Sequence, residues 1–290
     1  MALPSDTALP TDTAPSAFRP HAIDAPVFSA PGEAAEENDK AVIDYSNASD
    51  GYVMVKYRHS SANRLVALID GPDGDQYFYY FDSGDFVAYP LTEGDGQYVV
   101  TVCEQANDMK LKVILRAYVD AALTDPFAPF LRPNQHVNYD GGTIAVRKAA
   151  ELAEGSADLL DVISVVYDYA TASIAYDTEM VGKVESGYMP DLDAVLERGK
   201  GICFDYAAVM TAMLRSLGIP TKMVFGYLED YYHAWISVYS EEEGWIDGVI
   251  FFDGHDWELM DPTFTSGRRQ SGGDTEFREA GTDYIAKLHY

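Results

Sequence analysis

The sequence predicts an α+β chain of two domains, a small β-sandwich followed by a core that mixes helices and strands. Three observations predict it. Short aromatic and β-branched runs, separated by turn clusters, fill residues 41–120. After a connection marked by Pro and Gly the apolar period changes from that of strands to that of helices. A helix with clear start and stop signals, at about 203–217, is then followed by alternating strands. A length of 290 residues suits about two domains, and a hydrophobic share of 47% is enough to build packed cores.

Composition excludes several function classes. Twenty Lys and Arg against 47 Asp and Glu leave a net charge of −27, the wrong sign for nucleic acid or anionic lipid as a partner, since phosphate binding needs clustered cations. No apolar run approaches the roughly 18–20 residues of a membrane span, so none is expected. Two cysteines, Cys103 and Cys203, are too few for a disulfide scaffold or a thiolate metal site. Nothing in the pattern calls for a metal or an organic cofactor.

Residues 1–40 are rich in Pro, Ala, Ser, Thr and Asp without periodicity, and read as a mobile leader. With no basic start and no apolar run before a small-residue site, the segment does not read as a signal peptide. Part of it, around Ala25-Pro-Val-Phe28, suits docking as an extended arm. In the β region the expected strands are 51–57, 64–69, 76–81, 97–102 and 111–115. The cluster Asp70-Gly-Pro-Asp-Gly-Asp75 reads as a hairpin turn and not as a calcium loop, because no bidentate Glu stands at EF-hand distance. Cys103 closes the run Val99–Val102 and reads as a core residue.

Residues 121–143, with three Pro and Gly141-Gly142, read as a linker to a second domain over 144–290. Leu159, Ile163, Val166 and Ala170 share one helical face, with Ser156 placed to cap that helix. A loop holding Gly187-Tyr-Met-Pro-Asp191 leads to a short helix at 191–198.

The chemistry lies in residues 199–263. Apolar positions 207, 210, 214 and 217 recur at helical intervals, and Gly218 with Pro220 ends that helix. Cys203 therefore stands in its first turn, after Gly199 and Gly201. Unpaired backbone N–H groups and the positive dipole end favour a thiolate there, and the Cys203 N–H is an oxyanion donor in waiting. Alternation in His233-Ala-Trp-Ile-Ser-Val-Tyr239 puts His233, Trp235 and Ser237 on one face of a strand. A later strand, Trp257–Asp261, ends at Pro262, which keeps Asp261 extended. A thiol, an imidazole and a carboxylate supply nucleophile, base and orienter. Glu241, Glu242 and Glu243 read as a solvated hairpin tip, and His255 as a surface-loop residue. Trp235 and Trp257 share strand faces with His233 and Asp261, as shields of the ion pair or as ordinary core aromatics.

The ordered pieces Gly199-Lys-Gly-Ile-Cys203-Phe-Asp-Tyr-Ala207, Leu214-Arg-Ser-Leu-Gly-Ile-Pro220, Gly226-Tyr227, His233-Ala-Trp235 and Asp261-Pro-Thr263 resemble the transglutaminase-like superfamily. That family shares a papain-related core among transglutaminases and bacterial cysteine peptidases, and the resemblance spans about 145–265. It implies Cys203 as nucleophile, His233 as base, Asp261 as orienter, and a Cys-bearing helix packed on an antiparallel sheet. The preceding β-sandwich resembles that of some extracellular bacterial relatives. Animal transglutaminases place a Trp upstream of the nucleophile, whereas all three Trp here (235, 245, 257) lie downstream. Tyr188 is the candidate for that oxyanion role, against a loop tyrosine packed on the core.

The expected reaction is acyl transfer at an amide of a protein or peptide, a cell-wall or surface peptide among the candidates. Hydrolysis is preferred to lysine cross-linking, since amine capture demands a dry acceptor tunnel. A surface binding protein with a retained scaffold is the non-enzymatic alternative. The Pro/Thr leader and the domain pairing suggest residence outside the cytoplasm.

Overall fold

The computed structural model describes residues 27–107, 110–181, 183–228, 231–252, 257–259 and 284–290. The N-terminal half contains strands β1 (Ala35–Glu37), β2 (Ala41–Asp44), β3 (Tyr52–Tyr57), β4 (Arg64–Asp70), β5 (Gln76–Phe81), β6 (Val87–Pro90), β7 (Gly96–Asn107) and β8 (Lys110–Ala121). They form two antiparallel sheets, ordered β1-β2-β3-β6 and β5-β4-β7-β8. Strict alternation explains the core they share. In β5, Tyr77, Tyr79 and Phe81 are buried while Gln76 and Phe78 face out. Tyr79 and Phe81 meet Tyr89 of β6, in the other sheet, at ring separations of 4.8 and 6.4 Å. The Asp70–Asp75 cluster is the β4–β5 hairpin turn, closed by Gly71 and Asp75 backbone groups and tied by Glu93, which accepts the Asp73 N–H at 3.0 Å.

Strand β1 lies within the stretch whose composition suggests a mobile leader. It joins the sheet edge through backbone pairing with β2, which side-chain composition does not reveal. Phe28 packs edge-on against Tyr52 at 5.0 Å, and Asn47 donates to the Ser29 carbonyl at 2.8 Å, so the extended arm does dock from residue 28 onward. Residues 1–26 lie outside the described residues.

The connection over 121–143 is packed and not a free tether. A short 3-10 helix, Ala128–Phe130, is buried, as are Asn134, His136, Val137 and Tyr139. Phe127 lies 4.2 Å from Tyr239 and Phe130 5.1 Å from Trp245. Pro126, Pro129 and Pro133 disfavour a regular helix or strand here, and the apolar neighbours Phe127 and Phe130 fill the seam between the two halves.

The C-terminal half contains α1 (Ile144–Ala153), α2 (Leu159–Ser173), β9 (Ala175–Tyr176), α3 (Leu192–Arg198), β10 (Lys200–Gly201), α4 (Cys203–Ser216), β11 (Thr221–Leu228), β12 (Tyr231–Ser240), β13 (Gly244–Phe252), β14 (Trp257–Leu259) and β15 (Tyr284–His289). Helix α1 is Ala-rich at its buried positions, Ala145, Ala149 and Ala153, which is why its apolar stripe is weak in sequence. Helix α2 is capped by Asp158, whose carboxylate accepts the Asp161 N–H at 2.9 Å; Ser156 stands outside the helix. The larger sheet runs β14-β13-β12-β11-β15, all antiparallel.

Helix α4 is buried on every side from Asp205 to Ser216, because α1, α2 and α3 pack around it opposite β11 and β12. Arg215, near its C-terminal end, is fully buried and donates to the carbonyls of Thr221 (2.9 Å), Arg132 (2.7 Å) and Tyr290 (2.6 Å). Burial lowers the guanidinium to about 10, so it remains charged at neutral pH. It ties the helix to the sheet, the connection and the last strand.

Burial without a charged partner holds the imidazole of His136 down at about 3, and that of His233 at about 4, against an ordinary value of 6.5. Both folded values lie below the unfolded one. Their stabilising contribution is therefore complete above pH 6.5 and is lost as pH falls, because the unfolded chain takes up the protons first. Each should steepen acid destabilisation by about 1.4 kcal/mol per pH unit within its window. His136 sits 4.0 Å from the ring of Tyr290, among aromatic neighbours that accept another apolar ring. His136→Phe should flatten the fall in urea midpoint between pH 6 and 4 relative to the parent chain, with the two curves converging near neutrality.

Candidate functional site

The site is assembled by four short pieces of chain. Asp191 caps α3, its carboxylate accepting the Ala194 N–H at 3.0 Å, and Gly199 ends the helix in the left-handed region at φ 63°. That turn is cheap for glycine and costly for a residue with a Cβ. It directs the chain into β10, which pairs in parallel with β9, so that Lys200 lies opposite Ala175 and Gly201 opposite Tyr176. Ile202 is then the N-cap of α4, and Cys203 its first helical residue.

The Cys203 sulfur is the meeting point of helix and sheet. The backbone N–H groups of Ala234, of Phe204 and of Cys203 itself lie near enough to act on it electrostatically. These donors favour a thiolate, as the helix-terminal position predicts. Burial acts more strongly in the other direction, with the Asp205 carboxylate adding to it, and the thiol is pushed up above its ordinary range. Backbone donors at the helix start and burial thus act on this thiol in opposite directions, burial being the larger.

His233 immediately precedes Ala234, so the sulfur lies against the peptide unit that joins the imidazole-bearing residue to its neighbour. It pairs across the sheet with Gly226. The imidazole is buried and neutral at neutral pH, and its Nε2 has no hydrogen-bond partner among the described residues. A neutral imidazole is the form able to accept a proton. Trp235, on the same strand face, is buried, and the end of its ring covers Gly226. A Cβ at Gly226 would lie 2.6 Å from that ring and 2.1 Å from the Ile285 carbonyl oxygen. Glycine is required there for space and not for an unusual φ.

Asp261 lies outside the described residues, as does His255. Strand β14, which ends at Leu259, is separated from β12 by β13 in the sheet order. Glu241, Glu242 and Glu243 form the exposed turn between β12 and β13. Cys103 is buried in β7 and is a free thiol, as is Cys203.

Tyr188 is brought close to the helix start, but its hydroxyl is committed. It donates to Asp205 Oδ1 at 2.5 Å, and its ring stands edge-on to Phe204 at 6.0 Å. Burial, then the hydrogen bond to Asp205, pushes this phenol up to about 12. Two other phenols lie within electrostatic reach of the sulfur: Tyr176 of β9, pushed up to about 12 chiefly by burial and then by Cys203, and Tyr232 of β12. Neither stands out in sequence, because each is one tyrosine among 21. Asp205 and Arg198 were also missed. The available signal was an acidic residue at the third helical position, the usual place for a side chain that reaches back to the N-cap N–H.

Residues 146–247 match the family model for the transglutaminase-like superfamily, and the match includes Cys203 and His233. This segment belongs to the transglutaminase-like superfamily. Among curated proteins, the uncharacterized protein YebA of Bacillus subtilis is 26% identical over 158 residues. The aligned part is 47% of this chain and 19% of YebA, so the chain spans about a fifth of that relative. Among solved structures, a Cytophaga hutchinsonii protein assigned as a cysteine protease has a TM-score of 0.37 at 13% identity, covering 67% of this chain and 69% of its own. A Parabacteroides distasonis protein assigned as a protease has a TM-score of 0.32 at 12% identity, covering 71% and 62%. Red sea bream transglutaminase has a TM-score of 0.28 at 14% identity, covering 73% and 48%.

The transglutaminase-like segment thus presents a desolvated thiol against the strand that carries a desolvated imidazole. Among the described residues no group of three His, Cys, Asp or Glu side chains is placed to hold a metal ion. Gly226→Ala should force β15 away from β11 and displace Trp235 beside His233. A loss of about 1–3 kcal/mol in urea denaturation is expected. Slower alkylation of Cys203, followed by peptide mass spectrometry, should accompany it.

Proposed function

We propose that the protein is a thiol-dependent acyl-transfer enzyme that cleaves an amide bond of a protein or peptide. Membership of residues 146–247 in the transglutaminase-like superfamily supports a thiol-dependent enzyme. The observation that carries the finer reading is the place of Cys203 as the first residue of a buried helix that packs on β12, the strand bearing the buried, neutral His233.

In this reading the Cys203 sulfur attacks the amide carbonyl while its proton passes to His233. The tetrahedral oxyanion is held by backbone N–H groups of the helix start, which a sulfur engaged in bonding to carbon no longer occupies. Collapse breaks the C–N bond, and the imidazolium returns the proton to the leaving amine. Water, deprotonated by the same imidazole, then attacks the thioester carbonyl, releasing a carboxylic acid and the thiol. A primary amine in place of water would give an isopeptide and the transglutaminase outcome. Hydrolysis is the proposed fate, because water reaches any acyl-enzyme whose acceptor site is not built to exclude it.

Asp261 is assigned as the orienter of His233, through the Asp-Pro-Thr motif that matches the family pattern. Tyr188 is assigned to support of the helix start and not to the oxyanion, since its one proton is already donated. Trp235 is assigned to shielding the imidazole from water. The Pro/Thr-rich N-terminal segment and the pairing of the two domains support action outside the cytoplasm, with cell-wall or surface peptides among the candidate substrates.

The test uses casein peptides, with new amine termini and released ammonia measured alongside incorporation of a fluorescent primary amine. Cys203→Ala should abolish turnover, and His233→Ala should lower it by about 10²–10⁴-fold, with both variants keeping the parent's circular dichroism spectrum. An acyl adduct on Cys203, detected by mass spectrometry after acid quench, is the expected intermediate. Undiminished turnover in Cys203→Ala would remove the reading, and amine incorporation outpacing hydrolysis would replace it with cross-linking.

A further inference from the structure

Asp205 follows the proposed nucleophile by two residues, is fully buried, and has no part in the acyl-transfer steps above. A buried carboxylate is costly unless its oxygens are satisfied, and here they are satisfied by groups from three places. Oδ2 accepts the Ile202 N–H at 2.8 Å, which closes the first turn of α4 around Cys203. Oδ1 accepts the Tyr188 hydroxyl at 2.5 Å. Arg198 Nη2 reaches Oδ2 and the Tyr188 oxygen, each at 3.3 Å, while its Nε donates to the Lys200 carbonyl at 2.7 Å. Gly201 lets the carboxylate side chain approach, since a Cβ there would stand 2.7 Å from Asp205 Cβ.

The loop that delivers Tyr188 is gripped from the N-terminal half. The Arg64 guanidinium lies 3.7 Å over the ring of Tyr80 and donates to the Ser186 carbonyl at 3.2 Å. Gly187, at φ +89°, lies so close to both that a Cβ would be 2.8 Å from Arg64 Nη2 and 2.8 Å from Tyr80 Cδ2. A chain of contacts therefore runs from strands β4 and β5 through residues 186–188 to the turn that holds Cys203.

We propose that Tyr188, Arg198 and Asp205 are positioning residues for Cys203, setting the geometry and the charge of its turn, and that Arg64 and Tyr80 hold the loop on which Tyr188 depends. This rests on the reading of Cys203 as nucleophile. The unit has two opposing electrostatic effects on the thiol. The Asp205 carboxylate disfavours a thiolate beside it, and the Arg198 guanidinium, paired with that carboxylate, offsets this. The other titratable groups facing this turn are Asp177 and Tyr176, Tyr206 on α4, and Tyr232 and His233 on β12. They are unchanged in the variants below.

The full-length protein is alkylated with iodoacetamide from pH 5 to 10, and the Cys203 and Cys103 peptides are followed by mass spectrometry. Asp205→Asn removes the negative charge and should lower the midpoint of Cys203 alkylation by about one pH unit. Arg198→Met, at a side chain that is 40% exposed, should raise it by a similar amount, with circular dichroism checking that the fold is kept. A merely structural cap would slow alkylation at every pH with an unmoved midpoint. Tyr188→Phe and Arg64→Ala should each lower casein-peptide turnover several-fold, and the double variant by no more than the larger single effect, since both break one chain of contacts.

An unmoved midpoint in Arg198→Met, or additive losses in the double variant, would overturn the proposal while Cys203 still labels and turns over. If parent Cys203 carries no acyl adduct, the nucleophile assignment itself fails instead.

Discussion

Everything in the C-terminal half hangs on helix α4 being buried along its length. A helix wrapped by other helices on one side and a sheet on the other must satisfy its polar side chains internally, and its two ends do so in different ways. At the C-terminal end the Arg215 guanidinium serves three carbonyls from three separate segments. At the N-terminal end the Asp205 carboxylate takes a backbone N–H, a phenol and a guanidinium. Between them the helix is apolar or uncharged, so its position along its own axis is fixed by charge at both ends. Cys203 is placed by that axial constraint.

The same burial governs the chemistry of the site. Desolvation disfavours charge on both the sulfur and the imidazole, pushing the thiol up and His233 down to about 4. At rest the pair is neutral. In the proposed function, proton transfer to the imidazole would accompany attack of the sulfur on a carbonyl. The sulfur's backbone donors, from Ala234, Phe204 and Cys203, are already in place for negative charge as it develops. Phe204, packed 4.9 Å from Phe225 and 5.7 Å from His136, carries this turn into the aromatic seam between the two halves of the chain.

Local signals in the sequence were sufficient for the elements that carry Cys203 and His233. The helix from Cys203, its stop before Pro220 and the strand alternation around His233 were all legible, because capping, a glycine stop and alternation are short-range properties. Helix α1 was not, since alanines at its buried positions mimic a featureless segment. The buried circumference of α4 was not legible for a related reason: Ala, Met and Thr look equally at home on a half-exposed face. The connection over 121–143 looked like a tether because Pro and Gly dominate its appearance, while the apolar residues that bury it find partners distant in sequence.

What the sequence by itself determined was the order of Cys, His and Asp motifs, the place of Cys203 at a helix start and the family to which 146–247 belongs. These follow from residues near one another in the chain. Only the tertiary structure decided that burial disfavours charge on the Cys203 thiol, that Tyr188 gives its proton to Asp205, and that Gly226 leaves room for Trp235. Each of those depends on desolvation or on the distance between atoms far apart in sequence. Local pattern carries no record of either.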